Sequence, residues 1–201
     1  LNSRTRDPLG NRRYWPIYEA AAAAGLPVAA HVGGTGGHTM TGAGWPSYYF
    51  EDHSGFSQAF QDQVVSLVVE GVFERFPGLR FVIQEGGLAW LPPLMWRLDR
   101  SWKLLRSEVP HLDRLPSEVI REHFWFTTQP IEEPERPEYF AEFLEHLDMS
   151  DHLLFSSDYP HWDFDAPDSA IPQTVPGPVR DAIMHGNARR LYGLPGREET
   201  A

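Results

Sequence analysis

The feature that most constrains this 201-residue chain is a pattern that occurs four times: a short apolar run that closes in small or polar residues, followed by an amphipathic helical stretch. The runs are PVAAHVGG (27–34), LRFVIQEGG (79–87), HFWFTTQP (123–130) and HLLFSSDYP (152–160). Each is too short and too apolar to be a half-exposed hairpin strand, and each reads as a strand buried on both faces. Parallel neighbours need a crossover long enough for a helix, and the sequence provides one each time. Before the first run, residues 14–25 predict an alanine-rich helix stopped by Gly25. A helix capped by Ser54 follows, with Phe56, Phe60, Val64, Val68, Val72 and Phe76 recurring every four residues up to Pro77-Gly78. The later helices are 88–105, with Trp90, Leu94, Leu98, Trp102 and Leu105 on one face, then 138–147 and 178–194, the last preceded by a proline-rich loop from Pro167 to Pro178. No low-complexity linker divides the chain, so residues 1–201 read as a single α/β domain.

Composition removes several function classes. With 17 basic and 28 acidic residues the formal charge is -11, which leaves no basic stripe for nucleic acid. No apolar run approaches the roughly 20 residues a membrane helix needs, so a cytoplasmic protein without membrane partners is expected. Cysteine is absent, and any metal must be held by His, Asp or Glu.

Repeated βα units fold either as an open doubly wound sheet or as a (β/α)8 barrel, and in both the chemistry collects at the carboxyl ends of the strands. Those ends carry His31, Glu85, Gln129 and Asp158. An imidazole and a carboxylate on separate strands suit a borderline divalent cation, and a glutamate between them can move protons. Each has a plainer reading: His31 as an ordinary hydrogen-bonded residue, Glu85 as a helix cap, Asp158 as an Asx-turn. Three such residues at one level of successive units favour a site. His161 and Trp162 follow Asp158 closely enough to line the same cleft as substrate contacts. His38 and His53 lie in a long aromatic loop, 35–53, that reads equally as a substrate loop or as a surface loop whose aromatics pack over the helices. Arg97, Asp99 and Arg100 read as a solvated or ion-paired helix face.

The ordered set AAHVGG, RFVIQEGGLAWLPPLMWRLDR, LLFSSDYPHWD and HGNARRLYGL resembles the amidohydrolase-related family that contains the aminocarboxymuconate-semialdehyde decarboxylase-like enzymes, from about Tyr14 to Leu194. The resemblance implies a metal-dependent (β/α)8 TIM barrel, commonly with zinc and with manganese as the second choice, of which this chain holds about the last four βα units. It implies that His31 and Asp158 are metal ligands, that Asp158 also takes a proton from the attacking water, and that Glu85 stands where the decarboxylases have a catalytic histidine. The family's opening His-x-His pair has no counterpart, and no strand is expected before Tyr14. The implied function is hydrolysis of a small carboxylated or cyclic substrate. The alternatives are a decarboxylase of the same family and a truncated, non-catalytic half barrel that serves as an assembly partner. Open sheet edges would favour a homo-oligomer.

Overall fold

The computed structural model describes residues 1–34 and 39–195. Its centre is a parallel sheet of β1 (Val28–His31), β2 (Phe81–Gln84), β3 (Phe124–Thr127) and β4 (Leu153–Leu154), hydrogen-bonded in their order along the chain. The register pairs Val28 with Phe81, Phe81 with Phe124, and Phe126 with Leu153. Successive strands lie side by side with no reversal of order, the sequence of strands in a barrel; a doubly wound sheet reverses at its switch point.

The helices are α1 (Trp15–Ala23), α2 (Tyr49–Ser54), α3 (Phe56–Val69), α4 (Val72–Arg75), α5 (Leu91–Leu104), α6 (Pro116–His123), α7 (Pro137–Leu147), α8 (Gly177–Asp181) and α9 (Asn187–Tyr192). The single helix expected from Ser54 to Phe76 is two, α3 and α4. Ser54 ends α2 instead of capping α3, and Gly71, with φ of +75°, takes a left-handed turn that breaks the run before Val72. Phe60, Val64, Leu67 and Val68 are buried as their spacing requires. The last helix is also segmented, since Ala182–Gly186 adopts a π-helical turn between α8 and α9. Helix α6 has no counterpart in the sequence reading. Its first turn is held by Asp99, whose carboxylate accepts from the Ser117 backbone NH at 2.9 Å and hydroxyl at 2.7 Å. Asp99 is therefore a tertiary cap and not part of a solvated face. Leu105, expected inside, is half exposed just past the end of α5.

Alternation along the strands separates two layers. Val28, Ala30, Phe81, Ile83, Phe124, Phe126 and Leu153 join the large core beneath the helices. Val82, Trp125 and Leu154 form a second cluster with Leu191 of α9. Both faces are thus buried, which is why the strands read as continuous apolar runs. Truncating a ring such as Phe126 to alanine would cost about 3–5 kcal/mol.

No strand precedes Tyr14 among the described residues, but Asn2 makes an isolated parallel bridge with His31, and around it Ser3 NH donates to the His31 carbonyl at 2.9 Å and Arg4 NH to Gly33 at 3.0 Å. Backbone pairing with β1 satisfies these groups although the segment is polar.

Candidate active site

Hydroxyl side chains carry the sheet past its formal ends. The Glu85 NH donates to Thr127 Oγ1 at 3.1 Å, Ser156 NH to Thr128 Oγ1 at 3.3 Å, and Gln129 NH to Ser156 Oγ at 3.2 Å. The TT and SS pairs of the third and fourth runs thereby keep successive units in step after the backbone ladder stops. This brings Glu85 after β2 and Asp158 after β4 to a common level.

Both residues are left-handed, Glu85 at φ of 57° and Asp158 at 55°. A non-glycine residue in this region costs roughly 1 kcal/mol or more and persists only where its surroundings hold it. Of the described residues other than glycine, Asp148 alone shares the conformation, as the C-cap of α7. Glu85 makes no cap bond to the following helix, and the turn that leads into it is held by Glu132, whose carboxylate accepts from the backbone NH of Leu88 and Ala89. Gly87 between them has φ of +65°, and a Cβ there would lie 2.5 Å from Glu132 Oε1.

The ligand atoms of Glu85, Asp158 and His161 all lie within 4.8 Å of one another. Asp158 Oδ2 is 2.7 Å from His161 Nδ1, and His31 joins from β1 with Nε2 2.7 Å from Glu85 Oε2. His31 and Glu85 are close without hydrogen-bond geometry, so Glu85 Oε2 is buried with no hydrogen-bond partner. His31 Nδ1 faces the Val32 carbonyl at 2.8 Å, which leaves Nε2 as the nitrogen turned to the carboxyls. Burial pushes the Glu85 carboxyl above its ordinary value; the His31 imidazole opposes the rise, and the hydrogen-bonded Asp158 carboxyl reinforces it. His161 is raised by its hydrogen bond to Asp158. Two carboxyls in contact require a shared proton or a cation between them. The unpartnered Oε2, with two carboxylates and two imidazoles of the hard and borderline kind, fits a divalent cation.

A second cluster stands beside the first. The His53 ring lies 5.5 Å from Tyr49, 4.9 Å from Phe56 and 5.1 Å from Trp162, and its Nε2 is 2.9 Å from Asp163 Oδ2. His53 and Glu85 line one cleft of about 200 Å³ together with Phe56, Gly86, Pro130 and Ile131. The structure thus gathers His31, Glu85, Asp158 and His161 in one group, and His53 and Trp162 in another that borders it. His38 lies outside the described residues. Trp45, Tyr48, Tyr49 and Phe50 are exposed and do not pack over the helices. Asp163 was missed by the sequence reading, although its place two residues after His161 in PHWD was a usable signal.

The family model for amidohydrolases matches residues 1–194. The chain belongs to the amidohydrolase family. Solved structures similar to this amidohydrolase include an amidohydrolase from Mycobacterium avium subsp. paratuberculosis K-10, 25% identical over 96% of this chain and 47% of the other, with a TM-score of 0.71. The 5-carboxyvanillate decarboxylase of Sphingomonas paucimobilis is 24% identical, covering 97% of this chain and 58% of that one, with a TM-score of 0.69. The dihydroxybenzoic acid decarboxylase of Polaromonas sp. JS666, which holds manganese and 2-nitroresorcinol, is 22% identical over 93% and 55%, with a TM-score of 0.68. This amidohydrolase spans about half the length of the structures it matches, and its fold is four βα units of the TIM-barrel type. No curated protein matches it significantly. Among the described residues no helix is long and apolar enough to cross a membrane.

Proposed function

We propose that the cluster at the ends of β1, β2 and β4 is the carboxyl-terminal half of a metal-dependent hydrolase centre that acts on a small carboxylated or cyclic substrate. The observation that supports it is the Glu85–Asp158 carboxyl pair, both members left-handed, with Glu85 Oε2 buried and unpartnered. Asp158, Glu85, His31 and His161 would hold the cation, zinc foremost and manganese second. When bound, a divalent cation supplies Lewis acidity and an easier ionisation of water. Asp158, beside Glu85 and His161, accepts the proton of the attacking water. Its contact with His161 Nδ1 stabilises the negative charge it starts from and offers the proton a way out. Burial pushes the Glu85 carboxyl above its ordinary value, and its place beside Asp158 suits it to assist proton transfer to the leaving group. Residues absent from this chain's own set complete the centre, from a second copy or a longer barrel, and a homo-oligomer in the cytoplasm is the assembly proposed.

Decarboxylation is the second reading, favoured by the aromatic wall of Tyr49, Phe56 and Trp162 around His53, which suits a planar ring. The test is elemental analysis of the full chain after incubation with zinc or manganese, alongside assays of lactone and cyclic-amide hydrolysis and of carbon dioxide release from carboxylated phenols. About one metal per chain, lost in Asp158→Asn, is expected. Turnover of the cyclic esters or amides supports the hydrolase, and carbon dioxide release the decarboxylase. A chain that takes up no metal, and is unaltered by Asp158→Asn in every assay, would be the non-catalytic assembly partner.

A further inference from the structure

We infer that Glu132 is a positioning residue for Glu85: from the loop after β3, its carboxylate locks the turn after β2 in the shape that keeps Glu85 beside Asp158. This deepens the proposed function and rests on that reading for the cation the pair would hold. The turn needs a lock. Glu85 at φ of 57° and Gly87 at φ of +65° are both left-handed within three residues, and a glutamate left to its local preference would leave that region.

Three side chains hold residues 85–90, and two of them come from β3 and the loop behind it. The Glu85 NH donates to Thr127 Oγ1 at 3.1 Å, and Trp90 Nε1 donates to the Gly86 carbonyl at 2.7 Å. Glu132 is the third. Its Oε1 accepts from the Leu88 NH at 2.8 Å and the Ala89 NH at 3.0 Å, and its Oε2 accepts from the Leu88 NH at 3.0 Å. These two NH groups lie between the end of β2 and the start of α5, where neither ladder nor helix answers them, and an ionised carboxylate makes the stronger kind of hydrogen bond to such donors.

The space around the turn fits the same reading. A Cβ on Gly87 would lie 2.5 Å from Glu132 Oε1, and a Cβ on Gly86 would lie 2.6 Å from the Ile83 side chain. The two glycines thus let the turn press on the core at Gly86 and on the carboxylate at Gly87. Glu132 shares the cleft of Glu85 but stands outside the group formed by Glu85, Asp158 and His161, so it acts through the turn. A carboxyl on a free turn would swing out to water, and the locked turn is what leaves Glu85 Oε2 buried without a partner.

The test uses the full chain with Glu132→Gln, which keeps the side-chain volume but replaces one accepting oxygen by an NH2 donor. Zinc and manganese affinity, read by isothermal titration, should fall about 10- to 100-fold. In a Glu85→Gln background the same substitution should cost no further affinity, because its effect passes through Glu85. Equal losses in both backgrounds, the mark of a general structural role, overturn the inference. A second readout needs no metal. In the metal-free chain labelled with 13C and 15N, the one-bond Cα–Hα coupling of Glu85 distinguishes positive from negative φ. It should report a positive φ in the unaltered chain and move toward the negative-φ value in Glu132→Gln, with faster hydrogen exchange at the Leu88 and Ala89 NH and unchanged circular dichroism. A Glu132→Gln chain with native coupling, or with native affinity where the unaltered chain binds metal, overturns the inference. An unaltered chain that takes up no metal, while the coupling moves as expected, sinks only the metal centre and supports the positioning role. Should Glu132→Gln fail to fold, Glu132→Asp keeps the charge on a shorter stem and should show the same changes in smaller degree; native coupling and native affinity in that variant overturn the inference equally.

Discussion

The two ends of the sheet treat their buried polar groups differently. At the amino-terminal end the groups nearest the strands are answered, although Glu74 Oε2 and Arg121 Nε on the helices there have no hydrogen-bond partner. His123, just before β3, has Nδ1 2.9 Å from the Leu79 carbonyl and Nε2 3.1 Å from Arg114, and it stacks on Phe73 at 4.5 Å. Burial holds its pKa below the ordinary value, as expected for an imidazole kept neutral. Asn187 donates to the Ser150 and Leu153 carbonyls, and Arg80 reaches Leu191 and Gly25. At the carboxyl-terminal end Glu85 Oε2 and Gln129 Oε1 are buried without partners, and Glu85 and Asp158 are backbone-strained. Satisfied groups stabilise; groups left short of partners persist where another selection acts on them. Burial and hydrogen bonding thus set His123 apart from the Glu85–Asp158 pair more sharply than residue type could.

Substitutions at the two ends should therefore fail differently. The largest effect is expected at the carboxyl end, where Asp158→Asn or Glu85→Gln should weaken zinc or manganese binding about 100-fold or more, measured by isothermal titration, with thermal stability unchanged or raised. Loss of stability in step with loss of metal would break the comparison. Next comes Asn187→Ala at the other end. It strands two buried carbonyls and should cost about 2–3 kcal/mol in urea unfolding while metal binding per folded chain is kept.

A pH effect is smaller. Burial raises the Asp165 carboxyl to about 6 from 3.8, against the hydrogen bond it accepts from the Ile131 NH, with Glu133 and Asp163 adding to the rise. A raised folded-state pKa means its contribution is fullest below the unfolded value and is lost as pH rises through about 6. Asp165→Asn should thus gain about 1–2 kcal/mol near pH 8, after allowance for solvent screening, and nothing near pH 3. Paired denaturation curves at the two pH values check it. Smallest is Glu85→Gly, which should add about 1 kcal/mol by relieving the left-handed strain while abolishing metal uptake. A destabilised glycine variant would mean that the Glu85 side chain contributes to the fold.

The parallel sheet was legible because β2, β3 and β4 are covered on both faces and β1 nearly so, which writes continuous apolar runs into the sequence. The site level was legible for the same reason: His31, Glu85 and Asp158 each stand where an apolar run stops. Helix α6 was overlooked although Pro116 at its first position and Glu118, which accepts from the Leu115 NH, are local start signals; the Asp99–Ser117 contact that also holds its start spans 18 residues and is invisible to local pattern. The division of 54–76 into two helices was not legible, because the apolar face continues through Gly71 while the backbone turns.

The sequence by itself determined the βα alternation, the absence of thiolate ligands and which side chains stand at the strand ends, all consequences of local pattern and composition. Only the tertiary structure decided that Glu85 and Asp158 share one partly buried space and that Asp163 lies against His53. These contacts join residues 73 and 110 positions apart, and such distances are closed by packing and strand register, which no local periodicity records.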